Sequence, residues 1–181
     1  MALIRGGRFR NLASWAPRWG YLVALALVIQ VGVVYLQPES QPLIIALFAL
    51  SLTLLATFVV ANRRLPGMML LGVGLALNVV AMAANGGFMP VSPGALVHAG
   101  LGSLASLPEG SLLEGSKDIL IWPEHARLWW LGDVIPLPPP ISVVLSIGDL
   151  VVGAGGAWYL QVAMVSRERD GSRAHAEVAA P

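Results

Sequence analysis

Cysteine is absent from the 181 residues. That removes disulfides, thiolate nucleophiles, cysteine-ligated zinc, iron–sulfur clusters and thioether lipid anchors in one step, and leaves the redox compartment unmarked. Charge is scarce too: 12% of residues are Asp, Glu, Lys or Arg, against roughly 25% in an ordinary soluble domain. A net charge of +1 offers no global basic field for nucleic acid and no acidic one for cations. No HExxH, HxH or Ser-His-Asp spacing occurs, and "GVG" and "GAGG" lie inside apolar runs rather than in a phosphate-cradling loop. No internal repeat or mirrored pair of halves is present.

Apolar residues make up 56% of the chain. About 20 consecutive ones at 1.5 Å rise cross a hydrocarbon core. Four segments approach or exceed that length: 20–36, 42–61, 67–84 and 141–165. The first is short, but Trp15, Trp19 and Tyr21 at its start suit an interfacial belt. A signal peptide is the competing reading of that segment; no small-x-small site follows "VGVVYLQPES", so the expectation is that it stays.

Charge placement sets an orientation. Arg5, Arg8, Arg10 and Arg18 precede the first span, Arg63 and Arg64 join the second to the third, and Arg167, Arg169 and Arg173 follow the fourth. "QPESQ" has no basic residue, and residues 85–140 hold Lys117 and Arg127 against five acids. Basic residues mark cytoplasmic loops, so both termini are expected inside. The expected fold is therefore all-α and integral to the membrane, with four transmembrane helices. Its parts are a basic cytoplasmic N-terminus (1–19), three helices (20–84), an outer segment (85–140), a fourth helix (141–165) and a disordered cytoplasmic tail (166–181). Residues 91–108, uncharged for 18 positions but rich in Gly, Ser and Pro, are expected on the outer surface; a fifth span there would move "RERDGSR" outside.

Polar residues inside the spans narrow the reading. Asp149 costs about 2.5–3.5 kcal/mol at a helix centre, which eleven Leu, Ile and Val residues at about 0.3–0.6 kcal/mol each can offset. It should face protein or water rather than lipid. Ser142, Ser146, Asp149, Gly153 and Gly156 recur at helical spacing. Gly67, Leu71, Gly74, Asn78, Ala81 and Asn85 do the same on the third span. Stripes of small residues let membrane helices approach closely, so these two spans are expected to pack. By depth, Asn78 and Asp149 lie about 10 and 12 Å from their outer ends and Gln30 about 9 Å from its own. Gln30, Asn78, Ser146 and Asp149 are thus expected to form one intramembrane polar cluster. Its plainest role is to fix helix register; a protonatable transport site is the sharper alternative.

The outer segment opens with "NGGFMPVSPG", a turn signal followed by Ser92 and Pro93 as the start of a short helix through about Leu101. A second short helix is expected over 123–131, with Trp122, Trp129 and Trp130 at headgroup level. "IPLPPP" reads as a stiff extended lead into the fourth span. His98, His125, Glu124 and Asp133 lack the spacing of a metal or acid–base site, and His175 lies in the charged tail.

Three strings, "NGGFMPVSPGAL", "LGDVIPLP" and "SIGDL", resemble an uncharacterised family of small bacterial multi-span membrane proteins classed as a domain of unknown function. The resemblance runs from the first span to the fourth. It places Asn85, Gly86, Gly87, Met89, Pro90, Gly132, Asp133, Pro136, Gly148 and Asp149 at recurring motif positions and implies the bacterial cytoplasmic (inner) membrane. With the third and fourth spans side by side, Asn85, Gly86, Gly87, Met89, Pro90 and Asp133 would line an outward-facing vestibule. The chain is expected to be a non-enzymatic accessory or scaffold component of a membrane assembly. Its partners would be the lipid bilayer and other membrane subunits, with no nucleic acid, cofactor or metal. The alternative is a small transporter or channel working through Asp149, Asn78 and Gln30. A membrane enzyme using Asp133 or His125 is the weakest option.

Overall fold

The computed structural model describes residues 17–36, 38–113 and 116–165. The basic stretch before Pro17, His175 and the tail after Val165 lie outside them. Most described residues are helical, and four helices are long: α1 (Tyr21–Leu36), α2 (Gln41–Ala61), α3 (Met68–Ala84) and α6 (Ile147–Val165). Between α3 and α6 lie β1 (Met89–Val91), α4 (Pro93–His98), α5 (Gly102–Ala105), β2 (Asp118–Leu120), β3 (Ile135–Leu137) and β4 (Val143–Leu145). By length and composition, α2 is the one described helix that could cross a membrane unaided; α1 and α3 are apolar but shorter.

Local chemistry sets the helix ends. Pro42 stands in the first turn of α2, where its missing N–H is no loss. At the other end Asn62 N–H returns to the carbonyls of Phe58 and Val59. The α3 terminus is closed by Asn85 and Gly87, whose N–H groups both donate to Met82 O. Gly86 and Gly87 take φ of +73° and +94° there, a left-handed turn that a side chain would strain. Ser92 Oγ accepts from Ala95 N–H at 3.1 Å, with Pro93 next to it, and α4 starts where that pair directs.

The fourth apolar run departs from expectation. Residues 141–146 are not helical: Val143–Leu145 pairs antiparallel with Ile135–Leu137, Pro136 opposite Val144. The helix begins six residues later than its hydropathy suggests, because an apolar β-branched run serves a strand as readily as a helix. The proline-rich lead is accordingly half of a two-stranded ribbon. Over 123–131 a full helix is replaced by turns and one 3₁₀ turn at Trp129–Leu131; Leu128 sits at φ +52°, where a right-handed helix cannot pass.

The closest helix pair is α3 with α6. A Cβ on Gly74 would come within 2.6 Å of Gly148 O and of Val152 N, and one on Gly155 within 2.6 Å of Leu71 N. Backbones meet here because no side chain intervenes. The α6 face is Gly148, Val152 and Gly155, whereas a Cβ on Gly153 or Gly156 would meet open space. Ser142, at φ +50°, lies outside the helix. The stripe read from the sequence thus meets α3 at Ser146 and Asp149 but leaves the contact face at Gly153 and Gly156.

Outside the helices, β1 pairs in parallel with β2, Met89 opposite Asp118. Asp133 bridges to Val91 beside them. Val91, Leu96, Leu113 and Leu120 make a small core beneath these strands. A second core, with Val33, Phe48, Ala81, Met82, Met89 and Leu131, joins the segment to the helices.

Candidate functional site: a polar junction of α3, α6 and the segment between them

Asp149 sits in the first turn of α6 rather than in the middle of a span. Its backbone N–H donates to Ser146 Oγ at 3.0 Å, and its Oδ2 accepts from Ser146 N–H at 3.0 Å. This is a reciprocal capping box with Asp in place of the usual Glu. A carboxylate here also faces the positive end of the helix dipole. That resolves why an acid interrupts an apolar run: it starts the helix.

Asn78 locks the box to α3. Its Nδ2 donates to Asp149 Oδ1 at 2.8 Å, and its Oδ1 accepts from Ser146 Oγ at 3.0 Å. Three side chains close one ring, with Ser146 fully buried. Gln30, grouped with them by depth, is engaged elsewhere: its Nε2 donates to Ser51 Oγ, which donates to Phe48 O. Depth counted along separate helices says nothing about azimuth, and Gln30 faces α2.

Directly outside the ring is a second polar group. Asp133 is 2% exposed. Gly132 lies so close to Pro90 O that no Cβ would fit, and Asp133 N–H donates to Pro90 O at 2.8 Å. The Asp133 carboxylate has Lys117 Nζ at 3.7 Å, while its Oδ1 has no hydrogen-bond partner among the described residues. Lys117 also reaches Asp118 Oδ1 at 3.3 Å. Burial pushes the Asp133 carboxyl up to about 8; Lys117 opposes the rise, while Asp118 and Asp149 add to it. Burial alone would lower the Lys117 ammonium, but Asp118, Asp133 and Asp149 outweigh it and hold it above its usual value. Lys117 Nζ thus lies within ion-pair distance of both Asp118 and Asp133, and Asp149 adds to the negative field at this ammonium.

The other residues of the expected vestibule serve the fold. Asn85 Nδ2 donates to Ala81 O and to Arg127 O, and its Oδ1 accepts from Arg127 N–H. Gly86 and Gly87 make the turn, Met89 is fully buried, and Pro90 carries the carbonyl that receives Asp133. Lys117 and Asp118 were not singled out by sequence reasoning. The available signal was that Lys117 is the chain's single lysine, next to an acid.

The histidines lie apart from this junction. His125 Nδ1 is 2.9 Å from Glu109 Oε1, which also accepts from Trp122 N–H. The Trp122 N–H and His125 hold the Glu109 carboxyl below its usual value, and Glu109 raises His125. His98 Nδ1 turns back to Gly94 O. Among the described residues no three His, Cys, Asp or Glu side chains are grouped to hold a metal.

Comparison with known proteins adds a family but no activity. Residues 16–161 match the model of a family of unknown function (DUF5317). An uncharacterised protein of Thermotoga maritima is 30% identical over 153 residues, covering 82% of this chain and 77% of that one. No solved structure matches.

Proposed function

The chain belongs to this family of unknown function, and on that premise we propose that it is a multi-pass protein of a bacterial cytoplasmic membrane, a non-enzymatic accessory or scaffold component. In this reading α1, α2, α3 and α6 all cross the bilayer. Both termini are cytoplasmic, and the segment from Asn85 to Ser146 stands outside. The observation that carries the proposal is the apolar surface of the long helices. Val28, Val31, Leu50, Val60, Val73 and Leu150 are exposed, while Ser51 and Asn78 are buried along with Phe48, Phe58, Val59 and Met82. Such a surface is a liability in water and ordinary against lipid. Arg63 and Arg64 at the α2–α3 turn supply the cytoplasmic charge.

Three of the helices, α1, α3 and α6, are short for a typical core of about 30 Å, and flanking residues can snorkel or the bilayer thin to meet them. The outer segment is where a partner would dock: it is folded, pinned to α3 and α6, and carries the exposed Trp122, Trp129 and Trp130. A transporter working through Asp149, Asn78 and Gln30 has less support. Gln30 is bonded to α2, and both carboxylate oxygens of Asp149 are engaged.

The absence of cysteine makes the topology directly testable. Ser106→Cys, exposed in the outer segment, should react with a membrane-impermeant maleimide on intact cells. Arg64→Cys should react only after lysis. The opposite pattern, or equal labelling, defeats the topology. Co-purification of a second membrane protein through exchange of detergents would identify the assembly.

A further inference from the structure

We propose that the trough between α2 and α3 binds one anionic phospholipid, with an acyl chain along the trough and the phosphate against Arg18. The inference rests on the membrane reading above and adds a ligand to it. The two helices touch near their ends, where a Cβ on Gly72 would press on Val59 and one on Gly87 on Ile45. Between those points they part. The opening has a volume of about 720 Å³ and extends from Ile45 to Val60 along α2.

Small residues carve this space. Ala49, Ala56, Ala76 and Ala83 line it where larger side chains would close it. Thr53 and Thr57 turn their hydroxyls back to Ala49 O and Thr53 O, at 2.7 and 2.8 Å. Their polar groups are thereby spent on the helix backbone. The rise from Ile45 to Val60 gives the trough a length of about 22 Å, and its volume is well under that of a cylinder of the same length and the 10–12 Å or so of another helix. A single hydrocarbon chain fits those proportions better than a partner helix does.

Charge identifies the headgroup. The exposed ridge of Thr53, Ala56 and Val60 borders both the trough and a second hollow of about 630 Å³, which Arg18 and Trp19 also line. Asn62 fixes that corner. Its Oδ1 accepts from Arg18 N–H at 2.7 Å, and its Nδ2 donates to Arg18 O at 2.8 Å. These bonds hold the main chain of Arg18, whose guanidinium is in no ion pair among the described residues. Arg63 and Arg64 follow Asn62 directly, both exposed and neither in an ion pair among the described residues. A long apolar slot bordered by a hollow that Arg18 lines, with Arg63 and Arg64 following the Asn62 that clasps Arg18, matches a phosphodiester carrying an acyl tail.

The test uses the full chain, purified in detergent and stripped of lipid, and native mass spectrometry. Palmitoyl-oleoyl phosphatidylglycerol is compared with phosphatidylcholine bearing the same chains. The expected result is one phosphatidylglycerol per chain, held about tenfold more tightly than phosphatidylcholine, or about 1.4 kcal/mol. Ala76→Phe, which fills the trough from an exposed position, should abolish tight binding of both lipids. Arg18→Gln, which keeps the main-chain clasp to Asn62, should erase the preference while leaving chain binding. Equal affinity for the two lipids in the unaltered chain overturns the proposal. So does unchanged phosphatidylglycerol preference in Arg18→Gln, whether or not Ala76→Phe folds. A dimer that Ala76→Phe dissociates assigns the trough to a second copy and also overturns it. A chain that needs no detergent to stay dispersed defeats the membrane reading itself, which sets that failure apart.

Discussion

Ser146 and Asp149 cap each other across the first turn of α6, each accepting the other's backbone N–H at 3.0 Å. Asn78 on α3 reads both side chains at once. The helix start and the helix–helix register are therefore one set of bonds.

Asp149→Asn places an amide opposite the Asn78 amide and breaks one bond of the ring. Thermal unfolding in detergent should show a loss of about 1 kcal/mol. Asn78→Asp sets two carboxylates face to face and should cost more. The exchange Asn78→Asp with Asp149→Asn can remake every bond, but it moves the charge from the start of α6 into α3. Recovery should be partial.

Glycine substitutions test which face of α6 meets α3. Gly155→Ala should destabilise by about 1–3 kcal/mol through overpacking, because its Cβ would collide with the Leu71 backbone. Gly153→Ala and Gly156→Ala point into open space and should be neutral or slightly stabilising. Equal effects at all three positions would place the seam elsewhere.

The buried acid predicts a pH dependence of definite sign. Folding raises the Asp133 carboxyl from its ordinary 3.8 to about 8, so the folded chain holds this proton more firmly than the unfolded one. The associated stability is complete below about 4 and is lost as pH rises through about 8, with a slope of at most about 1.4 kcal/mol per pH unit. Asp133→Asn should flatten melting temperature against pH over this window. Lys117→Met removes the opposing cation and should extend the decline to higher pH.

At the surface, Glu109→Gln should return the His125 imidazole toward ordinary titration, since Glu109 is what raises it. An NMR titration of the ring would report this. The pair is exposed, so the melting temperature should barely move.

Much of the helical layout was legible because its signals are local. Ser92 with Pro93 starts α4, and the Gly67–Gly74 spacing on α3 marks the face that meets α6. The α6 boundary was not legible. Val143–Leu145 is apolar and suits either structure until Ile135–Leu137 is present to pair with it, and Ser146-x-x-Asp149 was read as polar spacing rather than as a cap. The junction was legible only in part. Asn78, Ser146 and Asp149 announce themselves as polar residues in apolar runs. Lys117 and Asp118 reach Asp133 only through the parallel β1–β2 register, a long-range contact with no sequence period. Gln30 was misassigned because equal depth on two helices leaves their rotation free.

The two hydrogen bonds between the Asn85 amide and the main chain of Arg127 have a mechanical meaning. They couple the end of α3 to the stretch of chain that carries Trp129 and Trp130, two and three residues further on. Were α3 to shift along or about its axis, those two bonds would carry the indoles with it.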